Sequence, residues 1–233
     1  MDRGLYWGIN SMTASEHGLD TIASNLANLS VTGYKRQGSA TQSFDVVMRD
    51  HLERQVSSQT TTDFAQGELV PTGNPYDLAV SGPGFFAIET DNGERYTRNG
   101  RFRVDEDGTL QTLDGRAVAW MDARGTIDLA GPEANVDREG VVWQGTNRVG
   151  QLKVVDFGNA SRLVADGAGT YRPVGNARPS ARRGEVVQAT LESSNVSAVD
   201  EMVAMVALQR GYESSSRLLS AIDATYRRLT APR

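Results

Sequence analysis

Residues 92–115 read NGERYTRNGRFRVDEDGTLQTLDG, and this stretch decides the fold of the middle of the chain. Short runs of alternating apolar and polar residues are separated by Asn-Gly or Asp-Gly pairs, which begin at Asn92, Asn99, Asp107 and Asp114. Asn-Gly and Asp-Gly pairs favour two-residue hairpin turns, because both residues tolerate a positive φ. The pattern therefore predicts a series of short antiparallel hairpins.

Glycine and proline divide the rest of the chain. Eighteen of the 24 glycines and six of the seven prolines lie between Gly67 and Glu185, so the two ends are open to helix formation. We expect an N-terminal assembly helix in residues 1–30, an extended polar connection in 31–66, a β-rich outer domain in 67–190 and a C-terminal assembly helix in 191–233.

Both predicted helices carry an apolar stripe with steps of three and four residues. The first helix should run from about Asp2 to Asn28, and the second should begin at a capping box formed by Ser197 and Asp200. Narrow seams of this kind are typical of coiled coils. The sequence thus predicts an α+β fold, with a mainly antiparallel β middle domain and long N- and C-terminal helices that form a coiled-coil-like assembly domain. The alternative is that both helices pack on the β domain as ordinary amphipathic helices.

Composition excludes several classes of protein. No apolar run approaches the roughly 18–20 residues of a membrane span, and a net charge of −5 argues against nucleic-acid binding. The N-terminus shows no secretory signal pattern. With no cysteine and only His17 and His51, a metal site would need carboxylates from distant segments. Asp105–Gly108 lacks the spacing of a calcium loop and is better explained as a charged hairpin turn. We therefore expect no cofactor, no metal and no catalytic residues.

Four motifs together resemble the bacterial flagellar rod and hook protein family. The N-terminal segment has NLAN at 25–28 followed by GYK at 33–35, and the middle has GPGFF at 82–86 followed by YTRNGRF at 96–102. The C-terminal segment has LESSNVSAVDEMVAM at 191–205. Within the family, the chain looks most like the proximal-rod subunits, with the distal-rod subunits second.

The resemblance implies a structural subunit of the flagellar basal-body rod, which self-assembles helically into a hollow drive shaft that transmits motor torque. It implies export through the flagellar type III apparatus without a cleaved signal peptide, a place in the periplasm-spanning rod, and other rod subunits as partners, with the bushing rings as further candidates. A distal-rod subunit, a periplasmic enzyme acting on the cell wall and a soluble export adaptor or chaperone remain the alternatives.

The predicted assembly interface combines the apolar stripes with the polar motif after the first helix. In the functional interpretation Asn25 and Asn28 bond to the adjoining subunit, and in the simpler one they only end the helix. The full set is Leu5, Ile9, Met12, Leu19, Ile22, Asn25, Leu26, Asn28, Gly33, Tyr34, Lys35, Met202, Met205, Val206, Leu208, Tyr212, Leu219, Ile222 and Tyr226.

Overall fold

The computed structural model describes residues 2–43, 56–122, 125–158, 160–167, 169–175, 177–181 and 183–230. The chain divides into two compact units. The helical unit comprises Met1–Ala27, Gln37–Thr61 and Val196–Arg233, and the β unit comprises Asn28–Arg36 and Thr62–Asn195. The β unit therefore contains a short segment from near the N-terminus as well as the middle of the chain.

The described chain contains two α-helices, one short 3-10 helix at Ala160–Arg162 and seventeen strands. The helices are α1 (Asp2–Ala27) and α2 (Ala198–Thr230). The strands are β1 (Gln37–Ser43), β2 (Val56–Thr62), β3 (Leu69–Pro71), β4 (Leu78–Ser81), β5 (Phe85–Thr90), β6 (Gly93–Thr97), β7 (Phe102–Val104), β8 (Leu110–Thr112), β9 (Ala134–Val136), β10 (Val141–Gln144), β11 (Asn147–Gln151), β12 (Val154–Asp156), β13 (Leu163–Ala165), β14 (Thr170–Pro173), β15 (Ser180–Ala181), β16 (Glu185–Gln188) and β17 (Thr190–Glu192). Neither helix has a stretch apolar enough to cross a membrane among the residues described.

A six-stranded sheet organises the β unit, with the strand order β13-β14-β6-β5-β12-β15. A three-stranded sheet (β11-β10-β9) and the pairs β16-β4, β17-β3 and β7-β8 complete it. Every pairing in this unit whose register is described is antiparallel. The prediction of an antiparallel β middle is confirmed in this respect.

Consecutive residues of β5 lie in two different apolar cores. Phe86 packs in a core with Leu78, Phe102 and Leu152, whereas Phe85 packs in a second core with Phe157. Successive side chains of a strand point to opposite faces of a sheet, so both faces of β5 are covered. This explains why Phe85 and Phe86 are both buried although they are neighbours.

Hairpins form at three of the four predicted turns, but they are not the predicted two-residue turns, because only the glycine of each pair has a positive φ. Gly93, Gly108 and Gly115 adopt positive φ at the ends of short hairpins. The hairpin turn predicted at Asn99-Gly100 is wrong, because Gly100 is not among the residues with positive φ. A Cβ on Gly100 would lie 1.5 Å from the carbonyl oxygen of Leu78, so glycine is needed here because the Leu78 backbone lies too close for a side chain.

The predicted fold class, with long terminal helices in a coiled-coil-like assembly domain, is wrong. The two helices make up only about a quarter of the chain, and antiparallel strands form nearly all the other regular structure described. A coiled coil also requires one continuous apolar seam on each helix, and on α1 the burial does not follow the predicted seam.

On α1 the buried face is small and polar rather than apolar. Among residues 9 and 11–27, whose burial is described, the buried positions are Ser15, Gly18, Ile22 and Asn25, and of these only Ile22 is a large apolar residue. The predicted stripe lies to one side of this face: Ile9 is 49% exposed, and Met12, Leu19 and Leu26 are only partly buried. The heptad spacing thus identified an apolar stripe that is not the buried face of the helix.

Ala189, between β16 and β17, is the only non-glycine residue with positive φ in the described chain, at 55°. A left-handed conformation costs about 1–2 kcal/mol for a residue with a Cβ, and glycine in a folded chain costs about 0.5–1 kcal/mol in entropy. We expect Ala189→Gly to raise the free energy of unfolding by about 0.5–1 kcal/mol, measured by urea denaturation. The control is Ala165→Gly at an exposed position in β13, which should lower it by a similar amount. A loss of stability in Ala189→Gly would contradict the expectation.

Candidate functional site

The most strongly charged buried site is a junction inside the β unit, formed by Lys35, Arg98 and Glu192. The Lys35 ammonium donates to the Glu192 carboxylate at 2.5 Å and to the carbonyl oxygen of Ala65 at 2.6 Å. The side chains of Lys35 and Glu192 are both fully buried. A buried ion pair needs further hydrogen bonds to offset its lost hydration, and the Ala65 carbonyl supplies one.

Arg98 is the second cation of this junction. Its Nη1 lies 3.3 Å from Glu192 Oε2 and donates to the carbonyl of Val80 at 3.1 Å, while its Nη2 donates to the carbonyl of Gly82 at 2.9 Å. The guanidinium also lies 5.0 Å from the centre of the Phe85 ring. One carboxylate is thus the shared counter-charge of two cations, so Glu192 is the central residue of the junction.

Further hydrogen bonds join three chain segments at the junction. The Gly33 amide donates to the Glu192 carbonyl at 2.7 Å, and the Gly67 amide donates to Glu192 Oε1 at 2.9 Å. The Asn195 side chain accepts from the Arg36 amide at 2.7 Å and donates to the carbonyls of Asp63 and Ala65 at 3.0 Å. The chain segments at 33–36, 63–67 and 192–195 are therefore held together at one place in the β unit.

Gly33 cannot carry a side chain in this junction. Its φ is 68°, and a Cβ would lie 2.4 Å from the backbone of Arg98 and Asn99. The glycine of the GYK motif is therefore required both by its conformation and by close backbone contact.

Burial shifts the pKa values of the groups around the junction. Loss of hydration lowers the pKa of the Lys35 ammonium, and the neighbouring Glu192 carboxylate opposes that shift. The Arg98 pKa is lowered by the same cause and is likewise supported by Glu192. Burial raises the pKa of the Tyr171 phenol, and the nearby Tyr34 adds to it. Removal of Glu192 would therefore leave two buried cations without their main counter-charge.

Asn25, predicted to contact an adjoining subunit, makes two hydrogen bonds within the helical unit. Its amide nitrogen donates to the carbonyl of Gln37 at 2.8 Å, and its amide oxygen accepts from the Gln37 amide at 2.9 Å. The side chain is fully buried and fixes the start of β1 to the end of α1. Asn28 is partly buried, and its carbonyl accepts from the Val31 amide at 3.1 Å. A role for either residue between subunits stays a prediction.

The residues predicted on α2 lie on two opposite faces of the helix. Met205, Leu208, Leu219 and Ile222 are partly buried, and Tyr212 lies on the same side. On the opposite side, Val199, Met202, Val203 and Val206 are 46–70% exposed. We call these four residues the outer face of α2. The sequence identified Met202 and Val206 but did not separate them from the inner residues.

The remaining predicted residues are distributed as follows. Tyr34 and Lys35 are buried, so their side chains are engaged within the chain. Leu5 and Tyr226 lie in α1 and α2, but their side chains fall outside the described part of the structure, as does His51. His17 is exposed. The Asp105 carboxylate accepts from the amides of Asp107 and Thr109, so the interpretation of this segment as a hairpin turn is confirmed.

Sequence reasoning missed the central residues of the junction. Arg98, Glu192 and Asn195 stood within quoted motifs, but they were assigned no role. The local signal for a buried polar side chain was a charged or amide residue next to strand residues, as Glu192 is next to Leu191. Burial of that charge depends on partners about 94 and 157 residues away in the chain, which no local pattern reveals.

Three family models match the chain, and the range that each one matches contains one charged residue of the junction. The flagella basal body rod protein model matches residues 5–35, which include Lys35. The flagellar hook protein FlgE/F/G D1 domain model matches 79–144, which include Arg98. The flagellar basal body rod FlgEFG protein C-terminal model matches 187–231, which include Glu192 and the outer face of α2.

Relatives align over nearly the whole chain. The flagellar basal-body rod protein FlgF of Caulobacter vibrioides is 33% identical, with 94% of this chain and 93% of the relative covered. FlgF of Mesorhizobium japonicum is 31% identical, with 94% and 92% covered. FlgG of Bacillus subtilis is 31% identical, with 96% of each covered. The chain therefore belongs to the flagellar basal-body rod and hook protein family, and the resemblance seen in its motifs is confirmed. Each of these relatives is named as a rod protein rather than as an enzyme.

Proposed function

We propose that this protein is a structural subunit of the flagellar basal-body rod and that it assembles with other rod components. The observation that carries the proposal is the outer face of α2, which presents four large apolar residues in one segment of the helix that matches the rod family. Contiguous exposed apolar residues mark interaction surfaces, since isolated monomers rarely expose them.

The junction gives this subunit a means of carrying load. A rotating shaft applies force to the points where the chain leaves the β unit. Arg36, Asp63 and Asn195 lie at three of these points and are joined by hydrogen bonds through the Asn195 side chain. Force is therefore shared among several chain crossings instead of acting on one.

The proximal part of the rod is the proposed position. The alignment with FlgF of Caulobacter vibrioides spans 229 positions, whereas that with FlgG of Bacillus subtilis spans 261, more than the 233 residues of this chain. The FlgG relative thus has residues that this chain lacks. The distal rod is the second candidate, on the basis of its similar identity.

The finer expectations belong to the same proposal. We expect export through the flagellar type III apparatus without cleavage of a signal peptide, and a final location in the rod where it spans the periplasm. The bushing rings are candidate partners at the periphery of the rod. Membership of the basal-body rod family supports each of these expectations. The assembly residues named from the sequence are retained, with Met202 and Val206 as direct contacts and Lys35 as a residue that supports the fold.

The test is to find the protein in purified basal bodies. Antibody raised against the β unit should detect the intact chain in basal bodies from motile cells, and immunogold label should fall on the rod. The control is a strain that lacks the gene. If the protein were recovered only in the soluble periplasmic fraction, the rod proposal would be wrong.

A further inference from the structure

The β unit contains two Asn-Gly pairs, Asn92-Gly93 and Asn99-Gly100, and such pairs can react with themselves. The backbone nitrogen of the glycine attacks the side-chain carbonyl carbon of the asparagine, because glycine has no side chain that blocks the approach. The nitrogen loses its proton, the side-chain amide group leaves as ammonia, and a succinimide ring forms. Water then opens the ring at one of its two carbonyls, which leaves aspartate or isoaspartate in place of asparagine.

The surroundings of Asn99-Gly100 oppose this reaction. The Asn99 side-chain oxygen accepts from the Arg101 amide at 3.1 Å, and the Asn99 amide donates to Thr97 Oγ1 at 3.0 Å. Gly100 is buried, and its carbonyl accepts from the Leu78 amide at 2.9 Å. Ring closure requires rotation of the peptide group between Asn99 and Gly100, and this rotation would break these contacts.

The surroundings of Asn92-Gly93 permit the reaction. Both residues are exposed at the tip of the hairpin formed by β5 and β6, and a Cβ added to Gly93 would meet no heavy atom within 4 Å. Gly93 pairs with Thr90, whose hydroxyl also donates to the Gly93 carbonyl at 2.5 Å. This pair is the last one of the ladder, and the end of a ladder opens more easily than its middle.

Arg95 contacts the reacting peptide group itself. Its Nη1 donates to the carbonyl oxygens of Asn92 and Glu94, at 3.1 Å each, and its Nε donates to the Asp166 carboxylate at 2.5 Å, which holds the guanidinium in place. The Asn92 carbonyl belongs to the same peptide group as the Gly93 nitrogen. When that nitrogen loses its proton, the negative charge is shared with the carbonyl oxygen, and a cationic donor stabilises it.

We propose that Asn92 is a site of spontaneous deamidation in the folded chain, that the contacts of Asn99 protect it, and that Arg95 promotes the reaction at Asn92. The product carries an additional negative charge beside Asp91, at the tip of the hairpin. The protein should therefore separate with age into its original form and a more acidic one. This inference does not depend on the proposed function.

Peptide mapping of the purified full-length protein tests the site. The folded protein is incubated in mildly alkaline buffer and digested, and mass spectrometry follows the conversion of each asparagine. Asn92 should convert at least about tenfold faster than Asn99. In urea the two rates should become similar, because unfolding removes the contacts that protect Asn99. Equal rates in the folded protein, a faster rate at Asn99, or no conversion at Asn92 would overturn the inference.

Arg95→Gln tests the role of the guanidinium. It should slow the conversion of Asn92 by about threefold or more in the folded protein and should have no effect in urea. Loosening of the hairpin would speed the reaction, so a slower rate separates charge stabilisation from a structural role. The matched control is Arg148→Gln, which removes the same charge from the exposed ion pair with Asp122 and should leave the rate unchanged. An unchanged or faster rate in Arg95→Gln would show that Arg95 does not promote the reaction.

Discussion

Replacement of Glu192 by leucine should lower the free energy of unfolding of the β unit by about 3–5 kcal/mol, because it leaves two buried cations without their shared anion. Lys35 and Arg98 have side chains 0% and 4% exposed, so water cannot replace the carboxylate without opening the unit. The measurement is urea denaturation of the purified chain, followed by tryptophan fluorescence. Trp120 and Trp143 both lie in the β unit and report its unfolding.

The matched control breaks an ion pair of equal length that is open to water. Lys153 and Glu94 also lie 2.5 Å apart, but their side chains are 27% and 38% exposed. Glu94→Gln should therefore cost only about 0–1 kcal/mol. If Glu192→Leu cost no more than Glu94→Gln, the junction would not be the central support of the β unit.

A double variant separates the missing charge from the missing packing. Lys35→Met combined with Glu192→Leu removes one cation together with the anion and should be more stable than the sum of the single changes predicts. Coupling of neighbouring buried charges is typically about 0.5–3 kcal/mol. Additive losses would indicate that the Lys35 ammonium and the Glu192 carboxylate act independently.

Met202→Glu should abolish motility while it leaves the fold intact. Burial of a methionine side chain contributes about 1.5–3 kcal/mol, which corresponds to roughly 10- to 100-fold in affinity at each contact. A charge at this position adds the cost of desolvation. Because Met202 is 57% exposed, the isolated chain should unfold at the same urea concentration as the unmodified protein.

Incorporation into basal bodies and the diameter of swimming rings in soft agar measure this effect. The control is Thr225→Glu, which adds the same charge to the same helix at an exposed position about five turns beyond the outer face. It should swim normally. Normal swimming of Met202→Glu would exclude the outer face from assembly, and a lowered unfolding midpoint would mean that Met202 supports the chain's own fold.

The β architecture was the most predictable part of the fold. Alternation and turn residues are local signals, so the hairpins around Gly93, Gly108 and Gly115 were predicted from the sequence. The prediction was wrong at Gly100, because this glycine makes room for the backbone of Leu78, which is distant in the sequence, and does not form a hairpin turn. A glycine reveals that a side chain is excluded, but the sequence does not reveal what excludes it.

The helices show the limit of periodicity. A heptad stripe identifies an apolar face, but small residues allow another face to be buried instead. On α1 the buried positions include Ser15 and Gly18, and Gly18 lies against Leu208. On α2 apolar residues occupy both faces of the first turns, so the stripe alone could not separate inner from outer positions. The candidate site was predictable only as a set of motifs. Lys35 and Glu192 are far apart in the sequence, so no local pattern shows that they form an ion pair.

The most direct test of the central claim is electron microscopy of basal bodies from a strain that lacks this gene. If this chain is a structural subunit of the rod, such a strain should form short, hookless structures that stop within the rod, and the unmodified gene should restore complete assembly. A stop in the proximal part would also support the proposed position over the distal one. Complete rods and hooks in the deletion strain would contradict the claim that this chain is a structural subunit of the rod.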